Sequence, residues 1–183
     1  MPNMASRALL AHAANPAVPD TVLFARLIGA RIEANDLVLL GLDGGELSAL
    51  IGRHFRGASI GRPPHVMRSS PHQEFVRDLH GLLMWHDRTA LLHPQDAHCL
   101  ATIISAASLR PDHLWRDLGL SGRDDVSDML DRHYPDLIAR NVSNMRWKKF
   151  LAQQVAYANG VAPTCAPGCP GCEDYGFCYP DIR

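Results

Sequence analysis

Four of the five cysteines in this chain fall in one fourteen-residue stretch, CAPGCPGCEDYGFC, at Cys165, Cys169, Cys172 and Cys178. Thiolates are soft ligands suited to zinc, copper(I) and iron–sulfur clusters. The gaps of three, two and five residues place all four in one continuous loop, the way iron–sulfur clusters commonly take their ligands. Gly168 and Gly171 let the backbone turn between them, and Pro167 and Pro170 restrict the loop before metal binds. The last gap spans about 20 Å when extended, so Cys178 reaches a fourth corner without strain. A structural zinc site is the competing reading. Such sites usually use two cysteine pairs separated by a longer loop, and no such loop lies between Cys169 and Cys172. The Cys165-x3-Cys169-x2-Cys172 spacing is also that of the radical S-adenosylmethionine enzymes, but no barrel sequence surrounds it.

Bulk properties narrow the choice. The stretch MPNMASRALLAHAANP, broken by His12 and Pro16, is expected to be neither a signal peptide nor an anchor. A cytoplasmic, thiol-reducing setting is therefore expected, where clustered cysteines more often bind metal than form disulfides. An odd cysteine count points the same way. A net charge of −1 gives no field to recruit nucleic acid or an anionic membrane. The longest apolar runs, such as LVLLGL at 37–42, fall far short of the roughly 20 residues of a membrane helix.

The elements that must hold this loop read as helices. Residues 20–34 open on Asp20 as a candidate N-cap and align Leu23, Leu27 and Ile28. Residues 45–55 repeat the pattern with Leu47, Leu50, Ile51 and Phe55, and DLVLLGLD between them is either a helix end or a short strand. Residues 57–71, with Gly, Ser and three prolines, are expected to form a loop. An amphipathic helix is predicted over Gln73–Arg88, and a nearly all-apolar, central one from Pro94 to about Leu109. Shorter helices are predicted at 112–120 (Asp112 as N-cap, Gly119 as stop), 124–133 and 135–140. The last one runs from about Asn144 to Asn159, ended by Gly160. The fold class is all-α: a compact multi-helix single domain, 1–160, followed by an irregular cysteine-rich segment, 161–183, that is not an independent domain. That segment holds few aliphatic residues and is expected to be disordered unless a metal centre orders it.

Other residues carry weaker signals. His72, His80, His86, His93, His98 and His113 cluster in the middle of the chain, and imidazole ligates metals or, protonated, holds anions. His113 is the foremost candidate among them. Glu74 and Asp78, one turn apart, are either a metal-facing pair or a pair neutralised by Arg77. Arg146, Lys148 and Lys149 form either a solvated face or a patch that captures an oxyanion or an acidic partner. Cys99 is expected to be a buried, inert thiol, and Trp115 and Trp147 to be core.

The stretches EFVRDLHGLL (74–83), HLWRDLGL (113–120), NMRWKKFL (144–151) and CEDYGFCYP (172–180) resemble the nitrogen-fixation protein NifQ family. The family pattern has four residues between its first two cysteines where this chain has three, which sets Cys165 apart. The resemblance covers much of residues 70–180, with little from the first 65. It implies a cytoplasmic molybdenum–iron–sulfur protein, with Cys165, Cys169, Cys172 and Cys178 as metal ligands and a molybdenum-containing 4Fe–4S type cluster. Such a protein would take up molybdate or another molybdenum source and supply molybdenum for the nitrogenase iron–molybdenum cofactor. The implied partners are the scaffold NifEN and the iron protein NifH. No acid–base or nucleophile constellation converges, so a metal carrier rather than an enzyme is expected. The alternative is a zinc-stabilised helical interaction module without a transfer role.

Overall fold

The computed structural model describes residues 3–60 and 72–180, so most of the predicted 57–71 loop lies outside the described residues. The described residues are helical and contain no sheet; one isolated antiparallel bridge joins Ala13 to Phe55. The order is α1 (Met4–Leu10), α2 (Pro19–Glu33), a 3-10 turn (Leu37–Leu40), α3 (Gly44–His54), α4 (Gln73–His86) and α5 (Pro94–Ala107). It continues with α6 (Leu114–Leu118), α7 (Arg123–His133), α8 (Pro135–Ile138), α9 (Trp147–Ala158), a second 3-10 turn (Cys169–Gly171) and α10 (Tyr175–Cys178). No helix among the described residues is long and apolar enough to cross a membrane.

Helix α5 is the centre of the packing, as its all-round apolar sequence predicts. It buries Cys99, Leu100, Ala101, Ile103, Ile104 and Ala107 and packs against α3, α4, α6 and the first 3-10 turn. Around it lie Phe24, Leu27 and Ile28 from α2, Leu47 and Leu50 from α3, Leu79 and Leu83 from α4, and Phe150 and Leu151 from α9. Burying each such side chain contributes about 1.5–3 kcal/mol. Helix α3 opens with a full capping box: Asp43 accepts from the Glu46 amide at 2.8 Å, and Glu46 accepts from the Asp43 amide at 2.7 Å.

Several ends differ from the sequence prediction for local reasons. Pro19 takes the first position of α2 after Val18, so Asp20 falls inside the first turn and is drawn to His133 and Arg132 instead of capping. The N-cap of α6 is His113, while Asp112 accepts from the His113 amide just ahead of it. Asn144 cannot start α9 because its φ of +49° is left-handed; the helix begins at Trp147. The segment left open between helix end and strand is the 3-10 turn Leu37–Leu40. Helix α1, which the sequence reading passed over, lies along α2 so closely that a Cβ on Gly29 would stand 2.4 Å from Ser6 Oγ.

Candidate metal centre

The cysteine segment is docked on the helical body by protein contacts. Ala166 and Cys169 are buried with Ala152 of α9, and Phe75 of α4, Cys165, Tyr175 and Tyr179 close around them. Gly168 and Gly171 rest on the α5–α6 connection, where a Cβ would meet the Arg110 carbonyl oxygen at 2.0 Å and Pro111 Cβ at 2.4 Å. Local hydrogen bonds turn the chain at each cysteine: Cys169 N to Ala166 O at 2.9 Å, Cys172 N to Cys169 O at 3.0 Å, and Cys178 N to Asp174 O at 2.9 Å.

Charges fix the limb between Cys172 and Cys178. Glu173 accepts from Arg116 at 3.0 Å and lies 3.2 Å from His113 Nε2; Asp174 pairs with Arg146 at 2.8 Å. Lys149 Nζ donates to the Cys178 carbonyl and sits 4.9 Å from the centre of the Tyr179 ring. The segment, too poor in aliphatic residues to make its own core, packs its apolar side chains on α9 and α4.

One cavity of about 160 Å³ opens where α6, α7, α9 and this segment meet. Cys169, Cys172 and Cys178 line it, together with His113, Trp115 and Trp147. Arg116, Arg123, Arg146, Lys148 and Lys149 also line it, against two carboxylates, Asp112 and Asp174. Cys165 stands beside the cavity, not in its lining, packed among Ala166, Tyr175 and Tyr179. All four cysteines of the segment are free thiols. Burial pushes the Cys169 thiol up, opposed by hydrogen bonding to Ala166 and Tyr179 and by the Lys148 charge. Burial also raises the Cys178 thiol, opposed by Lys149.

Lys148, read from sequence as either solvated or anion-capturing, is 5% exposed. Its Nζ donates to the Arg110 carbonyl at 2.6 Å and to the Asp117 carboxylate, next to Cys169. Burial pulls its pKa down while Asp117 holds it up. Trp115 is half-buried at the cavity wall and not core; Trp147 is buried as expected.

Of the other candidates, His113 alone among the histidines reaches the cavity. With Asp112 and Glu173 it offers ligand atoms all within 4.8 Å of one another, but Arg116 already bridges both carboxylates at 3.1 and 3.0 Å. His80 and His98 do meet, at 3.1 Å, with Glu46 3.0 Å beyond, in a separate group on α3, α4 and α5. Asp78 pairs with Arg77 at 3.0 Å and, like the exposed Glu74, does not line the cavity. Cys99 is 3% exposed, and burial pushes its thiol up to about 11, an inert state. Sequence reasoning missed Arg123, which approaches from α7 and carries no local pattern marking it. Tyr175 and Tyr179 were visible only as parts of the resembling stretch.

A family profile described as NifQ matches residues 22–180, reaching well into the first 65 residues that carried little of the resemblance by eye. The chain is 37% identical over 156 residues to a protein called NifQ homolog of Sinorhizobium fredii, an alignment covering 80% of this chain and 63% of that protein. It is 34% identical to protein NifQ of Azotobacter vinelandii, covering 76% of each chain. It is also 34% identical to protein NifQ of Rhodobacter capsulatus, covering 76% of this chain and 75% of that one. The chain thus spans less than two thirds of the Sinorhizobium protein's length and about three quarters of the other two. No solved structure matches it.

Proposed function

This chain belongs to the NifQ family, and on that premise we propose that it is a nitrogen-fixation protein that carries molybdenum on an iron–sulfur cluster for assembly of the nitrogenase iron–molybdenum cofactor. The observation that carries this reading is one cavity lined by three cysteine thiols and five cationic side chains. A thiolate-ligated iron–sulfur cluster is soft-metal cargo with a net negative charge, and it calls for both kinds of lining. Cys169, Cys172 and Cys178 would hold it from the cavity wall. Cys165 would join from its neighbouring position.

Sequence spacing favours a cluster over zinc: structural zinc sites usually use two cysteine pairs separated by a longer loop, and no such loop lies between Cys169 and Cys172. Four closely spaced cysteines in one continuous loop suit a polynuclear cluster.

The site lies in a surface-docked segment outside the main core. That suits a carrier, which must protect its cargo and then give it up, better than a catalyst. In this reading the chain works in the cytoplasm and delivers to NifEN and NifH, and it catalyses no reaction of its own.

Anaerobic metal analysis with an absorption spectrum, on the natural chain and on Cys172→Ala, tests the proposal. Iron and molybdenum with sulfur-to-iron charge-transfer bands that fade in the variant are expected. Stoichiometric zinc without visible bands, after expression with iron and molybdate supplied, would overturn it in favour of a zinc-stabilised interaction module.

A further inference from the structure

Outside the cysteine cavity, two histidines face each other from neighbouring helices. His80 of α4 and His98 of α5 bring Nε2 and Nδ1 to 3.1 Å, with ring centres 4.9 Å apart and ring planes at 70°. Glu46 of α3 lies 3.0 Å from the other nitrogen of His98, Nε2. A carboxylate accepts, so this contact puts the His98 proton on Nε2 and leaves a lone pair on Nδ1, toward His80. A carboxylate on the far nitrogen and a lone pair on the near one is how proteins commonly orient a metal-binding imidazole.

The separation of the two nitrogens fits an ion held between them. Zinc binds imidazole nitrogen at about 2.0–2.1 Å, so two such ligands at right-angled to tetrahedral placement stand about 2.9–3.4 Å apart. A plain hydrogen bond has the same length, but it gives the arrangement little to do. The His98 side chain is 43% exposed and His80 is half-buried, so water serves either ring nearly as well. The support is nevertheless rigid. Both rings stand on helices, and the other carboxylate oxygen of Glu46 accepts from the Asp43 amide at 2.7 Å in the capping box of α3. Burial, with the neighbouring His98, holds His80 below its ordinary pKa, so its ring stays neutral and able to ligate. The same partial exposure gives an ion a way in and room for water ligands.

We propose that His80 Nε2 and His98 Nδ1 form a two-imidazole site for a divalent cation of the zinc class, with Glu46 orienting His98 and water completing the coordination. Imidazole suits such ions, whereas magnesium and calcium call for oxygen ligands. One tautomer change accompanies binding. His80 donates from Nε2 to His98 Nδ1 in the metal-free pair, and carries its proton on Nδ1 when the ion is bound. No proton is released and no cysteine takes part. The ion joins α4 to α5 beside the start of α3, a clamp on the helical body, and none of its three residues lines the cysteine cavity. The inference does not rest on the cluster reading; zinc held here accompanies the cluster bands and does not replace them.

The test is zinc titration of the reduced, metal-free full chain with isotope-labelled histidine, followed by NMR of the ring nitrogens. Before zinc, His98 is expected as the Nε2–H tautomer. On titration His80 Nε2 and His98 Nδ1 should shift together to metal-bound positions and saturate with one zinc beyond any that the cysteines take. Cys172→Ala should show the same two shifts while losing the visible bands of the cluster, so this site and the cluster reading fail separately. His80→Gln and His98→Gln should each weaken the hold of zinc on the remaining ring at least tenfold. Glu46→Gln, which keeps an acceptor for the cap, should weaken it about tenfold by loosening His98. Rings unmoved at saturating zinc would overturn the proposal. So would shifts that vanish in Cys172→Ala, which would assign the zinc to the thiols, or a His98 response unchanged by His80→Gln.

Discussion

Gly168 lies against the main-chain carbonyl of Arg110 so closely that a Cβ there would stand 2.0 Å from the oxygen and 2.7 Å from the carbon. The backbone at Gly168 is ordinary right-handed conformation, φ −79°, so the constraint is space and not dihedral strain. The same oxygen accepts Lys148 Nζ at 2.6 Å. One carbonyl therefore fixes both the cysteine segment and the buried lysine beneath it. Gly168→Ala has no flexible side chain to push aside and must lift the segment from the connection. Metal content is expected to fall about tenfold or more, as when the support of a metal site is loosened. Helix content by circular dichroism should stay unchanged, since the helical core lies elsewhere. Full metal loading in that variant would contradict the idea that this contact sets the cavity.

Lys148 and Asp117 form a buried ion pair, with side chains 6% and 9% exposed, and Arg110 Nε adds a contact to Asp117 at 3.4 Å. Removing one partner of such a pair costs more than removing both, because the survivor stays buried without compensation. Lys148→Met is expected to destabilise the protein by about 3 kcal/mol, and Lys148→Met with Asp117→Asn by clearly less than the sum of the single changes. Urea unfolding of the four proteins in the cycle reads the coupling; additive losses would mean that Arg110 alone compensates Asp117.

Much of the helical body was legible because its signals are local. The 3.6-residue spacing in α2 and α3 and the all-apolar run of α5 need no tertiary knowledge. Neither does the stop at Gly119, which indeed takes φ +72°. The cysteine segment was equally legible as chemistry. The cavity was not, since Arg123 lies 42 residues ahead of Cys165 and only long-range contacts, such as those of Arg123 with Asn144, Met145 and the Trp147 ring, bring it to the same place. Lys148 stayed open between a solvated face and an anion-capturing patch, with burial unforeseen, because a buried lysine is identified only by its partner, and Asp117 sits 31 residues away. Boundaries at Asn144 and Asp20 slipped for the same reason: a left-handed φ and an ion pair to His133 are decided by surroundings that the local pattern does not encode.

The Gly119 stop leads to a sharper expectation. A Cβ there would stand 2.2 Å from Ala30 Cβ on α2, and the left-handed backbone adds its own strain. Gly119→Ala is expected to cost about 3 kcal/mol from strain and overpacking together. Adding Ala30→Gly relieves only the contact, so the double variant should be less destabilised than the sum of the two singles. Thermal melts decide it, and an additive result would leave backbone strain as the whole cost.

Stability should also follow a defined pH course set by His133. This ring is 3% exposed; its Nε2 lies 3.1 Å from Asp20, and its Nδ1 lies 3.6 Å from Asp87, itself buried. Burial pulls the His133 pKa down, but the hydrogen bonds and charges of Asp20 and Asp87 outweigh it and leave it raised above 6.5. Asp20 is lowered below 3.8 chiefly by its bond to His133; Asp87 is lowered too, as bonds from His133 and Thr89 overcome its burial. A raised histidine stabilises fully below its unfolded value and loses that contribution as pH rises through the folded one. A lowered carboxylate stabilises above its unfolded value and loses that contribution as pH falls through the folded one. The network therefore contributes most between 3.8 and 6.5 and weakens on either side. His133→Gln, leaving Asp87 buried without its cation, should cost about 3 kcal/mol at pH 6. The gap to the natural protein should narrow toward pH 9, as the raised imidazole loses its proton with rising pH. Urea unfolding at both pH values measures this, and parallel losses at pH 6 and pH 9 would show that His133 acts by packing alone.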